Sequence, residues 1–308
     1  MKFCAVTWYH REAPCGQSSV RSLSRPLASW QRKVGTGLFV FLLSVALVPS
    51  AKAQDAQGVL QKMVKAYTDL SSYDGTANVD TRILYKDKPL QERASTARMQ
   101  IKRPNKFHLD ITSPQGGREI YSDGKAFFVY DTLNHQYIRS TAPADMQAML
   151  TLLLQRAGIS ANLDPLYFMG MKVLPKELSG FKLKSDTLNG HPVFVVTGTT
   201  HTAPLTVKTK SGKSVTIPSA TRYWTWWVDK TTYLMHKMES RSTEQKMQVG
   251  VRQGKKVVPT TIPVIQVIRN SVVEVKPNAP LADNLFTFIP PQGATERRSV
   301  EEIIKGGK

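Results

Sequence analysis

Histidine is the residue type in this sequence best suited to acid–base or metal chemistry, but the spacing of the histidines forms no familiar site. Five of them follow residue 53: His108, His135, His191, His201 and His236. None belongs to an H-E-x-x-H or H-x-H pattern, and no cysteine accompanies them, so a zinc site has little support. His135 and His191 fall in or beside turns, where a surface imidazole is the ordinary explanation. We therefore predict neither a metal site nor a catalytic residue.

Two other patterns fall short of a catalytic motif. Ser211-Gly212-Lys213-Ser214 looks like the end of a phosphate-binding loop, but Val207 stands where the first glycine of that motif belongs. No G-x-S-x-G sequence, which would mark a serine hydrolase, occurs in the chain. Carboxylates are numerous, but sequence alone does not pair them across strands. We predict that the chain is not an enzyme and that it uses no cofactor.

Large apolar side chains in two segments indicate a different chemistry, the burial of an apolar ligand. Residues 127–130 and 223–228 are bulky at consecutive positions, so both faces of each strand carry apolar groups. One face must meet a core, while the other is either covered by helices or lines a cavity. Four methionines add adaptable surface that suits acyl chains or ordinary cores: Met146, Met149, Met169 and Met171.

The elements that position these residues are mostly strands. Alternating apolar and polar residues predict an antiparallel meander over residues 118–139, with turns at Asp123-Gly124 and Asn134-His135. Asp123-Gly124 is a two-residue hairpin signal in which both residues should have positive φ, and Asn189-Gly190 is a further predicted turn. We expect further strands over residues 75–85, 91–102, 106–111, 181–188, 192–199, 205–210, 213–217, 223–229, 233–241, 245–252 and 262–275.

Helical periodicity replaces this alternation in a few places. Residues 54–72 form one apolar stripe, whereas residues 141–158 are apolar around more than half of the helix and must be buried on several sides or touch a ligand. Residues 164–170 give a short helix, and Ser299 with Glu302 predicts a weak terminal one. Many strands and few helices, without an internal linker, predict one α+β domain over residues 54–308.

The first 53 residues have the pattern of a secretory signal peptide. Arg32 and Lys33 precede a mostly apolar run of 15 residues, and Ala51-Lys52-Ala53 follows as a cleavage signal. A run of this length is shorter than the roughly 20 residues that span a membrane. We therefore expect cleavage after Ala53 and a periplasmic protein.

The positions of the cysteines limit the covalent chemistry of the mature chain, and its net charge indicates which kinds of partner it favours. Cys4 and Cys15 both lie in the leader, so the mature chain has no disulfide, thiol nucleophile or lipid-modified cysteine. The formal net charge of +19 falls to about +13 without the leader, which holds seven Lys or Arg and one Glu. This balance favours an anionic membrane surface, although a solvated basic surface explains it as well. Nucleic acid is not expected as a partner of an exported protein.

Four short motifs occur in a characteristic order. They are R-P-N-K-F at 103–107, Y-S-D-G-K at 121–125, W-W-V-D at 226–229 and F-T-F-I-P-P-Q-G-A at 286–294. In this order they resemble the periplasmic lipoprotein carrier family, the LolA/LolB-like proteins, and most closely an uncharacterised periplasmic branch of it. The resemblance covers roughly residues 56–298. It implies a curved antiparallel half-barrel of about eleven strands, with the predicted helices as a lid over an apolar cavity.

In the carriers, that cavity takes lipoprotein acyl chains, so the resemblance implies a binding protein for a lipid or lipoprotein acyl chain. Six residues are our candidates for the cavity wall: Phe127, Val129, Met149, Leu153, Trp224 and Trp226. Relatives with this fold also act as sensors that bind a regulatory partner. The alternative is therefore an envelope sensor or scaffold that binds another periplasmic or membrane protein through its sheet edge or its basic loops.

Overall fold

The computed structural model describes most of the chain after the leader. It covers residues 51–156, 164–170, 174–202, 205–208, 214–217, 219–253 and 256–298. All but the last three residues of the predicted signal peptide lie outside these ranges. So do Met171, the predicted turn at Ser211-Gly212 and the predicted helix at 299–302.

The described residues form three α-helices, a short 3-10 helix and fifteen strands. The helices are α1 (Ala51–Thr68), α2 (Met146–Arg156) and α3 (Asp164–Gly170), and the 3-10 helix spans Asp283–Phe286. The strands are β1 (Ser72–Tyr85), β2 (Lys88–Lys102), β3 (Lys106–Ser113), β4 (Gly116–Asp123), β5 (Ala126–Asp131), β6 (Gln136–Thr141), β7 (Leu178–Leu188), β8 (His191–Thr202), β9 (Leu205–Lys208), β10 (Ser214–Ile217), β11 (Ala220–Asp229), β12 (Met235–Ser242), β13 (Gln245–Gln253), β14 (Lys256–Pro277) and β15 (Thr295–Arg297).

One curved, open sheet dominates this arrangement and confirms the predicted α+β half-barrel. Its order is β15-β6-β5-β4-β3-β2-β1-β14-β12-β11-β8-β7, with β13 attached to the first half of β14. All pairs are antiparallel except β15 with β6. Within the described residues the sheet has thirteen strands rather than about eleven. The small pair β9 and β10 forms the separate hairpin that the sequence predicts.

The hydrophobic core lies between the helices and one face of the sheet, which we call the inner face. On β2 the buried side chains Ala97, Met99 and Ile101 alternate with outward ones, as the two-residue period of a strand requires. From the helical side, Leu60 and Met63 of α1 enter the same cluster. The helices therefore cover the concave part of the sheet.

Helix boundaries differ from the sequence prediction at α1 and α2, while α3 agrees. Helix α1 ends at Thr68 rather than residue 72, because Tyr73 is buried in β1 opposite Ile101 and needs an extended backbone. Helix α2 begins at Met146 rather than residue 141, because Thr141 still pairs in β6. Asp145 then starts the helix, accepting a 2.8 Å hydrogen bond from the Ala148 N–H.

The two predicted hairpin turns behave differently. Asn189 and Gly190 have φ values of 51° and 82°, which confirms that turn. At Asp123-Gly124 the prediction is wrong for the first residue, because positive φ is found at Gly124 (93°) and not at Asp123. Asp123 remains in β4, where its carboxylate accepts hydrogen bonds of 2.7 Å from the N–H groups of Lys125 and Ala126. The side chain, rather than a second left-handed residue, closes this turn.

Candidate functional site

The six residues predicted to line a cavity all belong to the region between the inner face and the helices. Phe127, Val129, Met149, Leu153 and Trp226 are buried in one cluster, and Trp224 is partly buried against it. Side chains of α1 and α2, such as Met63 and Met149, fill this space. The structure thus brings the six predicted wall residues together, but side chains of the helices fill the space beside them.

The outer face of the same strands is covered as well. Phe128 and Tyr130, which alternate with Phe127 and Val129, place their rings 5.0 and 5.7 Å from the ring of Phe288. The C-terminal segment therefore crosses the outer face of β5. Both faces of this strand are bulky because one contacts the core and the other contacts Phe288.

An open groove of about 410 Å³ continues the inner face beyond the helices. Its walls come from β1 to β5 and from the turns after β3 and β5: Val79, Thr81, Arg93, Ser95, Ala97, Ile111, Ser113, Gln115, Gly116, Gly117, Arg118, Asp131 and Leu133. Ala97 pairs with Ile111, and Ile111 pairs with Arg118, so these side chains share one face. The six predicted wall residues are absent from the lining of this described groove.

The groove combines an apolar floor with charged groups. Val79, Ala97 and Ile111 supply the apolar surface, and two guanidinium groups, those of Arg93 and Arg118, lie along the walls. Asp131 is the register partner of Arg118 on β5. With two guanidinium groups and one carboxylate, the groove has a net positive charge. This charge suits an amphiphile with an anionic head group.

Arg103, between β2 and β3, holds the ends of two helices. Its Nε donates to the Leu70 carbonyl oxygen at 2.7 Å, and its Nη2 donates to the carbonyl oxygens of Met169 at 3.0 Å and Tyr67 at 3.4 Å. Carbonyl groups at helix C-termini lack partners within the helix and attract cations. Burial lowers the pKa of Arg103 from its ordinary value, while nearby Asp69 acts in the opposite direction. Arg103 therefore links α1 and α3 to the sheet.

Asn105, two residues later, attaches the approach to α2. Its side-chain amide donates to the carbonyl oxygens of Gly124 at 3.1 Å and Pro143 at 2.8 Å. Its own carbonyl oxygen accepts a 2.7 Å hydrogen bond from the Ser122 hydroxyl. The R-P-N motif thus connects the turn after β2 to α1, to α3, to the segment before α2 and to the Asp123-Gly124 turn.

Tyr67 and Trp226 supply polar atoms inside this otherwise apolar region. The Tyr67 hydroxyl accepts a 3.2 Å hydrogen bond from the Met235 N–H, which ties α1 to β12. The rings of Trp224 and Trp226 on β11 lie parallel, with centroids 5.7 Å apart, and Trp224 Nε1 donates to the Thr200 hydroxyl at 2.9 Å. Trp226 Nε1 is buried and has no hydrogen-bond partner among the described residues. An unpaired buried N–H is costly and suits an acceptor on a ligand.

The sequence prediction missed two sets of residues. Arg103 was recognised as part of a motif but not as a helix contact, because its partners are carbonyl groups up to 66 positions away. His191, Asp229 and His236 come together at one end of the sheet, with their ligand atoms within 4.8 Å of one another. Strand pairing across β8, β11 and β12 creates this cluster, so sequence spacing gives no signal for it.

The sheet is an unclosed half-barrel, and the helices cover its inner face as a lid. The sequence model of the family described as "Predicted periplasmic protein (DUF2092)" matches residues 56–297. The chain belongs to this family, which confirms the predicted uncharacterised periplasmic branch. No helix among the described residues has the length and apolar character needed to cross a membrane.

Several solved structures are similar to this chain. A LolA-superfamily protein from Nitrosomonas europaea is 17% identical, with 76% of this chain and 97% of that chain covered at a TM-score of 0.30. A DUF1329-family protein from Desulfovibrio piger is 13% identical, with 77% and 97% covered at 0.30. An outer membrane lipoprotein-sorting protein domain from Vibrio parahaemolyticus is 11% identical, with 76% and 97% covered at 0.30. No curated protein matches the chain by sequence.

Proposed function

We propose that this chain binds the acyl chain of a lipid or lipoprotein against the inner face of its half-barrel. The observation that carries this proposal is the continuity between groove and core. Ala97 belongs to the buried cluster and also lines the groove, and Val79 and Ile111 pack against the same cluster. A volume of about 410 Å³ lies within the range of roughly 300–1,000 Å³ typical of small-molecule sites.

The chemistry of the groove suits an amphiphile. Each methylene group removed from water contributes about 0.8 kcal/mol, so an acyl chain along Val79, Ala97 and Ile111 gains affinity with its length. Arg93 on the wall of the groove carries a planar guanidinium group, whose forked donors match a phosphate or carboxylate. A free fatty acid, a phospholipid and a lipoprotein share these features.

Deeper binding requires the lid to move. Four candidate wall residues on the sheet, Phe127, Val129, Trp224 and Trp226, become accessible to an acyl chain when α2 and α3 leave the inner face. The other two, Met149 and Leu153, move with α2 and would contact the acyl chain from the lid. Arg103 and Asn105 hold the lid closed through backbone carbonyl groups, which can exchange these contacts for water. The buried Trp226 N–H supports this step, because the ester or acid group of a ligand would supply its missing acceptor.

The proposal is tested by filling the groove with one side chain. Ser95→Trp places an indole in the groove, whereas Thr96→Trp places one on the opposite, exposed face of the same strand. Delipidated protein is titrated with a fluorescent fatty acid. We expect Ser95→Trp to weaken binding at least tenfold and Thr96→Trp to bind as the wild type does. Equal affinities for the two variants, or no saturable binding by the wild type, would refute the proposal.

A second pair of variants tests the charge. Arg93→Glu reverses a cation of the groove, and Lys88→Glu reverses an exposed cation at the start of the same strand. Weaker binding of anionic lipid is expected for Arg93→Glu alone. Native purification that yields a bound protein without lipid would instead support the alternative, an envelope sensor or scaffold that acts through its sheet edge.

A further inference from the structure

Three side chains with metal-binding atoms meet where the turn between β7 and β8 contacts the turn between β11 and β12. His191 begins β8, Asp229 ends β11, and His236 lies near the start of β12. The turn after β11 is joined directly to the start of β8, because the Lys230 N–H donates to the Pro192 carbonyl oxygen at 3.1 Å. One ligand atom from each of the three side chains lies within 4.8 Å of the other two.

Two of these atoms already have the spacing of ligands on one metal ion. His236 Nε2 lies 3.1 Å from Asp229 Oδ2. Zinc binds imidazole nitrogen and carboxylate oxygen at about 2.0–2.2 Å, so two ligands at a tetrahedral angle are about 3.4 Å apart. An ion can therefore replace the hydrogen bond between them with little movement of either side chain.

The carboxylate is held in place by its other oxygen. Asp229 Oδ1 accepts hydrogen bonds from the Thr231 N–H at 2.9 Å, the Thr232 N–H at 2.8 Å and the Thr232 hydroxyl at 3.1 Å. Partial burial acts to raise the pKa of Asp229, but these hydrogen bonds and the one from His236 lower it to about 2. Outer contacts of this kind orient metal ligands, and here they direct Oδ2 toward His236.

His191 supplies a third ligand that can adjust. Its exposed ring follows the Asn189-Gly190 turn and lies 5.0 Å from the ring of His236, with 31° between the ring planes. Rotation about its side-chain bonds covers the remaining distance. The exposed side leaves room for water at the fourth position.

The neighbouring lysines make contacts with aromatic rings. Lys230 places its ammonium group 5.3 Å from the centre of the Phe194 ring, and Lys237 places its own 4.5 Å from the centre of the Trp227 ring. These contacts stabilise the two cations beside the cluster. Both ammonium groups keep their positive charge, so the carboxylate of Asp229 is the group of the cluster that favours a bound cation.

We propose that His191, Asp229 and His236 bind a divalent transition-metal ion, with Zn²⁺ as the first candidate and water as the fourth ligand. Two imidazoles and one carboxylate are a donor set that zinc accepts, whereas magnesium and calcium prefer oxygen ligands throughout. A bound ion would join the two turns and fix this end of the sheet. The site is separate from the groove and does not depend on the proposed lipid binding.

The test is metal uptake by the chain produced without a polyhistidine tag and freed of metal with a chelator. Calorimetric titration with Zn²⁺ should show one site per chain, and Zn²⁺ should raise the melting temperature. His191→Ala, which removes an exposed ligand and leaves the fold intact, should weaken binding at least tenfold, and Asp229→Asn should do the same. His201→Ala is the matched control, because His201 is exposed on the same strand, and it should bind as the wild type does.

Spectroscopy gives a second measurement. Cobalt(II) in place of zinc should produce visible absorption typical of a four-coordinate site, and His236→Ala should remove it. Failure of the wild type to bind Zn²⁺ would overturn the proposal. Binding that His191→Ala and His236→Ala leave unchanged would overturn it too, since the ion would then be held elsewhere.

Discussion

Replacement of Arg103 by alanine is expected to loosen the contact between the helical lid and the sheet. The guanidinium group makes three hydrogen bonds, of 2.7, 3.0 and 3.4 Å, to backbone carbonyl groups at the ends of α1 and α3. A hydrogen bond to a charged group contributes about 1.5–3 kcal/mol. The two shorter bonds at the lower value give a loss of about 3 kcal/mol, because water can partly replace the donor at this half-buried position.

The measurement is urea unfolding followed by tryptophan fluorescence, with metal chelated throughout. Arg103→Lys should fall between alanine and wild type, because an ammonium group cannot form the fork that reaches both helices. Arg98→Ala is the control, since its 3.4 Å ion pair with Asp74 is exposed and should contribute less than about 1 kcal/mol. A loss for Arg103→Ala no larger than that for Arg98→Ala would refute the assignment of Arg103 as the residue that holds the lid.

Three further predictions concern the buried ring of Phe127, the hydrogen bond between Tyr67 and Met235, and the carboxylate of Asp123. Phe127→Ala should cost about 3–5 kcal/mol in urea unfolding, because the ring is fully buried; a loss below about 1 kcal/mol would contradict its place in the core. Tyr67→Phe should cost about 1–3 kcal/mol, since the Met235 N–H loses its acceptor, and an unchanged midpoint would argue against that bond. Partial burial acts to raise the pKa of Asp123, but hydrogen bonds from the Ala126 and Lys125 N–H groups lower it. Its stabilising effect is therefore present above the ordinary carboxyl pKa of about 3.9 and lost as pH falls below it, so the stability gap between wild type and Asp123→Ala should narrow on acidification. A gap that widens instead would contradict this sign.

Local sequence signals predicted the elements of the fold well. The apolar and aromatic run at residues 127–130 between turn signals indicated a strand, and the period of the apolar residues in α1 and α2 indicated helices. Asp145 at the start of α2 and Gly190 in the hairpin turn act as the sequence suggests, because each works through its own backbone neighbours. Such contacts join residues a few positions apart in the chain, so residue types and their spacing predict them.

Contacts between distant segments could not be predicted in the same way. The inward direction of Phe127 rather than Phe128 depends on which face the helices cover, and Phe288 arrives on the other face from a segment far along the chain. The cluster of His191, Asp229 and His236 requires both the β8–β11 and the β11–β12 register, since neither register alone brings His191 close to His236. Residue types supply the chemistry here, but the pairing of strands decides which side chains meet.

The predicted leader can be tested on the exported protein. Chain recovered from the periplasm should begin at Gln54, because the apolar run ends in an Ala-x-Ala signal at residues 51–53. N-terminal sequencing measures this directly. A mature chain that still contains Cys4 or Cys15 would contradict the prediction.

Native mass spectrometry of the periplasmic form, purified without detergent, tests the central claim most directly. We predict a population with added mass that organic solvent removes and that is identified in the extract as an acyl lipid. This population should decrease in Ser95→Trp and persist in Thr96→Trp. The proposed lipid binding would be contradicted if the wild-type protein is detected only at the mass of its polypeptide and takes up no lipid from anionic vesicles.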